Sequence, residues 1–260
     1  MDAQRYTQSQ VLYGLQESWE YSTGGSEPFD ADTQIYAYML ADGMWGELDL
    51  IDIFHRIEKF FNFTCSIDEW KNFFGYDVAE RSFEDWQREF APQLTFGSLA
   101  AFIASRAPVA ASFAPIPVFG RYCDAAGVFT GIQQVAKNLR KDCPRFAPST
   151  RIIDVMRGNN LDQFWMHVRW MTEHALPALP QFWRDVTFRA GSFGLLVAVC
   201  GAFAAWMFSD LVWLIPTISI SVAMYSIAVF YKEVANPLPP HIVTFRDLSQ
   251  LIANSRATAA

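Results

Sequence analysis

The side chains with the greatest chemical reach in this chain are carboxylates. Glu47, Asp49, Asp52 and Glu58 line one helix-forming stretch, GELDLIDIFHRIEKFF, and give it an acidic surface. Such a face draws in a basic partner surface by long-range steering; the plainer reading is a solvated helix side. A second group, Asp77, Glu80, Glu84 and Asp85, reads as solvent-facing. His55 and His167 follow comparable Leu-Asp helix starts, which suits a shared structural role better than catalysis or metal binding. His174 and His241 have no carboxylate or thiol at ligand spacing. Cys65, Cys123, Cys143 and Cys200 form no CxxC pair, so neither a disulfide framework nor a zinc site is expected, and the first three are read as reduced thiols. No Gly-x-Ser-x-Gly elbow, HExxH pair or phosphate-cradling glycine loop is present. The expectation is a chain with no catalytic residue, no metal and no cofactor, whose candidate partner-binding residues are Glu47, Asp49 and Asp52.

The elements that carry these residues are set by an uneven composition. The 260 residues are 52% hydrophobic, 16% aromatic and 18% charged, with net charge -7. This excludes a disordered chain and a strongly basic nucleic-acid binder, so no nucleic acid is expected as a partner. Between Arg189 and Lys232 the only charged side chain is Asp210. The stretch reads FGLLVAVCGAFAAWMFS, then Asp210, then LVWLIPTISISVAMYSIAVFY, and neither half shows a polar face at helical period. The pattern predicts a two-helix transmembrane hairpin over residues 190–231 with the lipid bilayer as partner. Asp210 marks the turn, and Trp206, Trp213 and Tyr231 sit at the interfaces. Arg184, Arg189 and Lys232 flank the hairpin while its turn has no Lys or Arg, which places both termini in the cytoplasm.

The rest of the chain contains an internal repeat. PFDADTQIYAYM (Pro28 to Met39) aligns with RFAPSTRIIDVM (Arg145 to Met156), with Phe, Thr, Ile and Met in register. GELDLIDIFH aligns with NNLDQFWMHV, and LTFGSLAAFIA (Leu94 to Ala104) aligns with VTFRDLSQLIA (Val243 to Ala253). The offset grows from 113 residues (Asp49 to Asp162) to 149 (Leu94 to Val243), so the second copy carries an insertion where the hairpin lies. Each copy reads as helical. Helices are expected near Thr7 to Tyr21, Leu48 to Phe61, from Phe96, Gly127 to Lys141, and Leu161 to His174. Asp32 or Thr33 is expected to cap after the first loop, Thr95 and Thr244 to cap the last helices. Alternating strand patterns are absent, so the fold class is all-α. The Pro/Ala-rich stretch RAPVAASFAPIPVFG reads as a linker.

The order of first helix, long loop, acidic Leu-Asp helix and short Thr-Phe-x-x-Leu helix resembles the four-helix acyl carrier protein family. GELDLIDIFHRIEKFF is similar to that family's recognition helix, and TFGSLAAFI and TFRDLSQLI to its last helix. The resemblance covers roughly Thr7 to Ser105 and, less cleanly, Gly127 to Ala253 outside the hairpin. In that family the serine before Leu carries phosphopantetheine; here Glu47 and Asn160 occupy the position, and neither can form the phosphodiester.

These readings give two small carrier-protein-like helical bundles, the second interrupted by the hairpin. The divisions are residues 1–105, a carrier-like domain; 106–126, a linker; 127–189, the first part of a second carrier-like domain; 190–231, the hairpin; and 232–260, its last helix and tail. The expected function is a non-catalytic, membrane-anchored docking or scaffolding protein of a bacterial inner membrane, recruiting a cytoplasmic protein partner. The alternatives are a membrane-bound component of acyl or lipid metabolism that still handles an acyl chain, and a small subunit of a membrane complex.

Overall fold

In the computed structural model, residues 5–23, 27–41, 50–75, 82–173, 175–179, 192–203, 207, 214–234 and 236–259 are described. They are mostly helical: α1 (Gln8–Thr23), α2 (Ile35–Ala41), α3 (Leu50–Phe61), α4 (Ile67–Phe74), α5 (Phe83–Glu89), α6 (Phe96–Ala104), α7 (Asp124–Leu139), α8 (Ile152–Val155), α9 (Gly158–Met171), α10 (residues 192–203), α11 (Leu214–Val234) and α12 (Phe245–Ala259). One departure from the all-α expectation is a small hairpin, β1 (Ile116–Val118) paired antiparallel with β2 (Arg121–Cys123). Three residues per strand are too few to show a period of two in the sequence. Phe119 and Gly120 turn this hairpin, both at positive φ, the backbone that a two-residue turn with matching twist requires.

The chain divides into two compact units, one of Met1–Asp142, Met166–Pro177 and Ser249–Ala260, the other of Cys143–Trp165 and Ala178–Leu248. In the first, α1 packs on α6. Each buries one helical stripe, Val11 and Leu15 on α1, Phe96, Leu99 and Ile103 on α6, because apolar residues at i, i+3, i+4 and i+7 share a face. Trp70, Phe74, Trp86 and Phe96 are buried, so these aromatics form core; Phe73 and Phe90 are half-buried. The helix starts are chemically specified. Ser66 and Glu69 form a reciprocal capping box on α4, and Thr95 and Ser98 form one on α6, each satisfying backbone donors that the first turn leaves open. Thr33, an expected cap, instead returns its hydroxyl to Asp30, whose carboxylate accepts at 2.7 Å.

The stretch from Arg106 to Ala126, expected as a linker, is packed rather than loose. Ala107, Ala111 and Phe113 are buried, Ala110 donates its N–H to the Tyr6 hydroxyl at 2.7 Å, and Arg256 donates to the Phe113 carbonyl at 2.8 Å. Small residues that break a helical period here allow an extended chain to lie flat against a helix.

The aligned segments form the same local device twice. In the first unit Phe96 and Gly97 donate backbone N–H groups to Thr33 and Ala31 at 3.0 and 2.8 Å, and Ile35 donates to Leu94 at 2.9 Å. In the second unit Phe245 and Arg246 donate to Thr150 and Pro148 at 3.1 and 2.7 Å, and Ile152 donates to Val243 at 3.0 Å. Phe29 stacks on Phe96 with centroids 3.6 Å apart, and Phe146 stacks on Phe245 at 4.0 Å. The Phe, Thr and Ile of the repeat are thus the residues of a clasp that ties a loop to the start of a helix.

In the second clasp Asp247 accepts from the N–H groups of Thr244 and Val243 at 2.8 and 3.1 Å. The Thr244 N–H above all, then the Thr244 hydroxyl, the Val243 N–H and nearby Arg246, hold its carboxyl below the usual range. A carboxyl lowered by folding adds stability in full above the ordinary value of about 4, and that stability is lost as pH falls through the lowered value. Asp247→Asn, which keeps an accepting oxygen but carries no charge, is expected to lower the neutral midpoint and flatten this acid limb, because the charge-dependent stability is then missing at every pH. Thermal unfolding of both chains from about pH 2 to 7 checks it, and parallel curves would count against the assignment.

The expected transmembrane hairpin is not found as such: among the described residues no helix is long and apolar enough to cross a membrane. Asp210, the expected turn, lies outside the described residues, as do Trp206 and Trp213; the Tyr231 side chain is also not described.

Candidate functional site

The acidic helix is only partly visible. Glu47 and Asp49 lie outside the described residues, and Asp52 belongs to α3 without a described side chain. Glu58, the fourth member, is not a free docking group. It accepts from the Trp70 indole at 2.7 Å and from the Cys65 N–H at 3.0 Å, so it ties α3 to the start of α4. Asn160 is exposed in the first turn of α9, and its amide offers no hydroxyl for a phosphodiester.

Asp77, Glu80 and His174 lie outside the described residues, and His241 is exposed. Asp85 accepts from the Ser82 hydroxyl at 2.8 Å and pairs with Arg88 at 2.6 Å, an exposed arrangement of little energetic weight. His55 and His167 do not share surroundings: His55 is exposed, whereas the half-buried His167 ring lies 4.8 Å from that of Phe60. Burial, then the Glu69 carboxylate, pushes the Cys65 thiol up, which disfavours the thiolate a nucleophile needs. Among the described residues no group of His, Cys, Asp and Glu could hold a metal ion.

The most distinctive surface is on α10 and α11, in the second unit. The Ser221 hydroxyl donates to the Gly194 carbonyl at 2.7 Å, and Ser221 is the nearest neighbour that a side chain at Gly194 would meet. On α10 the covered positions are Gly194, Val197, Ala198 and Gly201, one face at i, i+3, i+4 and i+7. The large side chains point the other way: Leu195 is 68% exposed and Phe193, Leu196, Val199 and Phe203 are more than half exposed. On α11 Ile218, Ile220, Val222, Tyr225, Ile227 and Phe230 are exposed, and at 100° per residue these positions surround the helix rather than mark one side. Small residues form the seam and large apolar residues face out, the inverse of a core-facing helix pair. The sequence signals this through the missing polar face. Gly194 and Gly201 are buried, Ala198 is intermediate, Ala202 is exposed, and Ala205 is outside the described residues.

No protein family, curated protein or solved structure matches this chain.

Proposed function

We propose that this chain is a membrane-anchored docking protein without a catalytic site, held in a bacterial inner membrane by residues 190–231. The observation that carries the reading is the inverted burial of α10 and α11. A contiguous outward apolar surface of this kind far exceeds what a water-facing helix pair carries, whereas in lipid the large side chains are solvated and small residues let the helices approach. The absence of Lys and Arg between Arg189 and Lys232 adds an orientation with both termini in the cytoplasm. The carrier-like helix with Glu47, Asp49 and Asp52 then faces a basic cytoplasmic partner, and anchoring raises effective concentration without new chemistry.

Alkaline extraction of membranes from bacteria expressing the full chain tests the anchor. The protein is expected to stay in the pellet, and a variant carrying Leu195→Lys, Leu196→Lys, Ile227→Lys and Phe230→Lys is expected in the supernatant. Full recovery of the unaltered chain in the alkaline supernatant would overturn the reading. Cross-linking in the same membranes tests docking: charge reversal to Lys at Glu47, Asp49 and Asp52 should deplete the cross-linked partner, and an unchanged set of partners would remove the acidic helix from the proposal.

A further inference from the structure

Within the first unit the C-terminal ends of α3, α7 and α9 meet at a cavity of about 560 Å³, a volume typical of small-molecule sites. Tyr6, Phe60, Phe61, Val135 and Met171 contribute its apolar lining. Behind it the buried Trp170 ring lies 4.9 Å from that of Tyr6, 5.8 Å from Phe60 and 5.3 Å from Phe61, so the wall is a packed aromatic block rather than a loose loop. Among the described residues, the charged side chains lining the cavity are Lys59, Lys137 and Lys141, with no Asp or Glu. That is a local reversal of sign in a chain of net charge -7. All three lysines are exposed, and none pairs with a carboxylate among the described residues.

Lys59 and Lys137 sit in the last turns of α3 and α7, where a cation also offsets the helix dipole. Each helix C-terminus carries roughly half a negative charge, so three termini against three ammonium groups leave an excess of roughly +1.5. Tyr6 adds no negative charge: burial pushes its phenol up to about 12. A phosphate monoester carries about -1.5 to -2 at neutral pH, which matches this excess better than a single carboxylate does.

We propose that this cavity binds a phosphate monoester bearing an apolar chain, the phosphate among Lys59, Lys137 and Lys141 and the chain against the aromatic wall. The inference does not rest on the membrane anchor or on docking by Glu47, Asp49 and Asp52, although α3 supplies Lys59, Phe60 and Phe61 to the cavity. The chemistry that fits both halves of the cavity is a phosphorylated lipid, and three probes separate the contributions of head and chain. Lauroyl lysophosphatidate carries head and chain, glycerol 3-phosphate the head alone, and monolauroylglycerol the chain alone.

Titration calorimetry on the full chain in a non-ionic detergent is expected to show lysophosphatidate binding at least tenfold tighter than either fragment, weakening as salt is raised. Equal binding of monolauroylglycerol would overturn the role of the lysines. Equal binding of glycerol 3-phosphate would overturn the role of the aromatic wall, and no binding of lysophosphatidate would overturn the site. The combined Lys59→Gln, Lys137→Gln, Lys141→Gln variant should lose about tenfold in affinity, the sum expected from three exposed charge contacts. Lys71→Gln, an exposed lysine of α4 outside the cavity, should bind as the unaltered chain does. Equal loss in both variants would trace the binding to general surface charge and overturn the assignment.

Discussion

Removing either partner of the Glu17–Arg169 pair should destabilise the first unit by about 3 kcal/mol or more. Glu17 lies on α1 and Arg169 near the end of α9, and their side chains are only 10% and 18% exposed. The Arg169 guanidinium donates to the Glu17 carboxylate, and its Nε also donates to the Leu176 carbonyl at 3.2 Å. Arg169→Met therefore leaves a buried carboxylate and a backbone acceptor short of a donor, and Glu17→Leu leaves a guanidinium with its charge uncompensated. The double variant should recover most of the loss, because two apolar side chains of similar size need no partner. Denaturant unfolding followed by tryptophan fluorescence checks all three chains. Single variants within about 1 kcal/mol of the unaltered protein, a cost usual for exposed pairs, would show that water already screens the pair.

This pair could not be read from the sequence, and the reason is general. Glu17 and Arg169 are 152 residues apart, and each by itself reads as an ordinary charge on an amphipathic helix. The same holds for the cavity: Lys59 and Lys137 look like helix-ending cations, and only the fold brings them to the same wall as Lys141. What was legible is local. The clasp recurs in the sequence because its Phe, Thr and Ile have fixed jobs: stacking on the helix start, accepting one N–H through the Thr carbonyl beside a second taken two residues earlier, and entering the core. Thr95 and Thr244 were readable as caps because a side-chain oxygen must sit three residues before the N–H it serves. Glu58 illustrates the limit. Its place in the stretch put it on an acidic helix, but its carboxylate is spent on Trp70 and Cys65, contacts with no periodic signature.

Gly127→Ala should cost roughly 2 kcal/mol, although alanine is the better helix former by about 1 kcal/mol. Gly127 and Gly131 lie one turn apart on α7, and the segment once expected to be a linker runs across them. A Cβ on Gly127 would lie 2.0 Å from the Ala114 carbonyl oxygen, and one on Gly131 would lie 2.7 Å from that of Ser112. At Gly127 every near obstacle is backbone, so no side chain can swing aside, and Gly131 also meets the Phe113 ring at 2.7 Å; the segment itself must lift, pulling on the buried Phe113 and on the carbonyl that Arg256 holds. Propensity and sterics have opposite signs here, which makes the test sharp. Gly120→Ala supplies the control: a Cβ there meets nothing within 4 Å, yet its φ of +80° charges a strain of its own, roughly 1 kcal/mol for an ordinary residue in a left-handed backbone. If Gly127→Ala raises the unfolding midpoint, helix propensity dominates and the segment from Arg106 to Ala126 yields freely. If it lowers the midpoint by more than Gly120→Ala does, close backbone packing on α7 fixes that segment in place, and the two glycines are there to allow it.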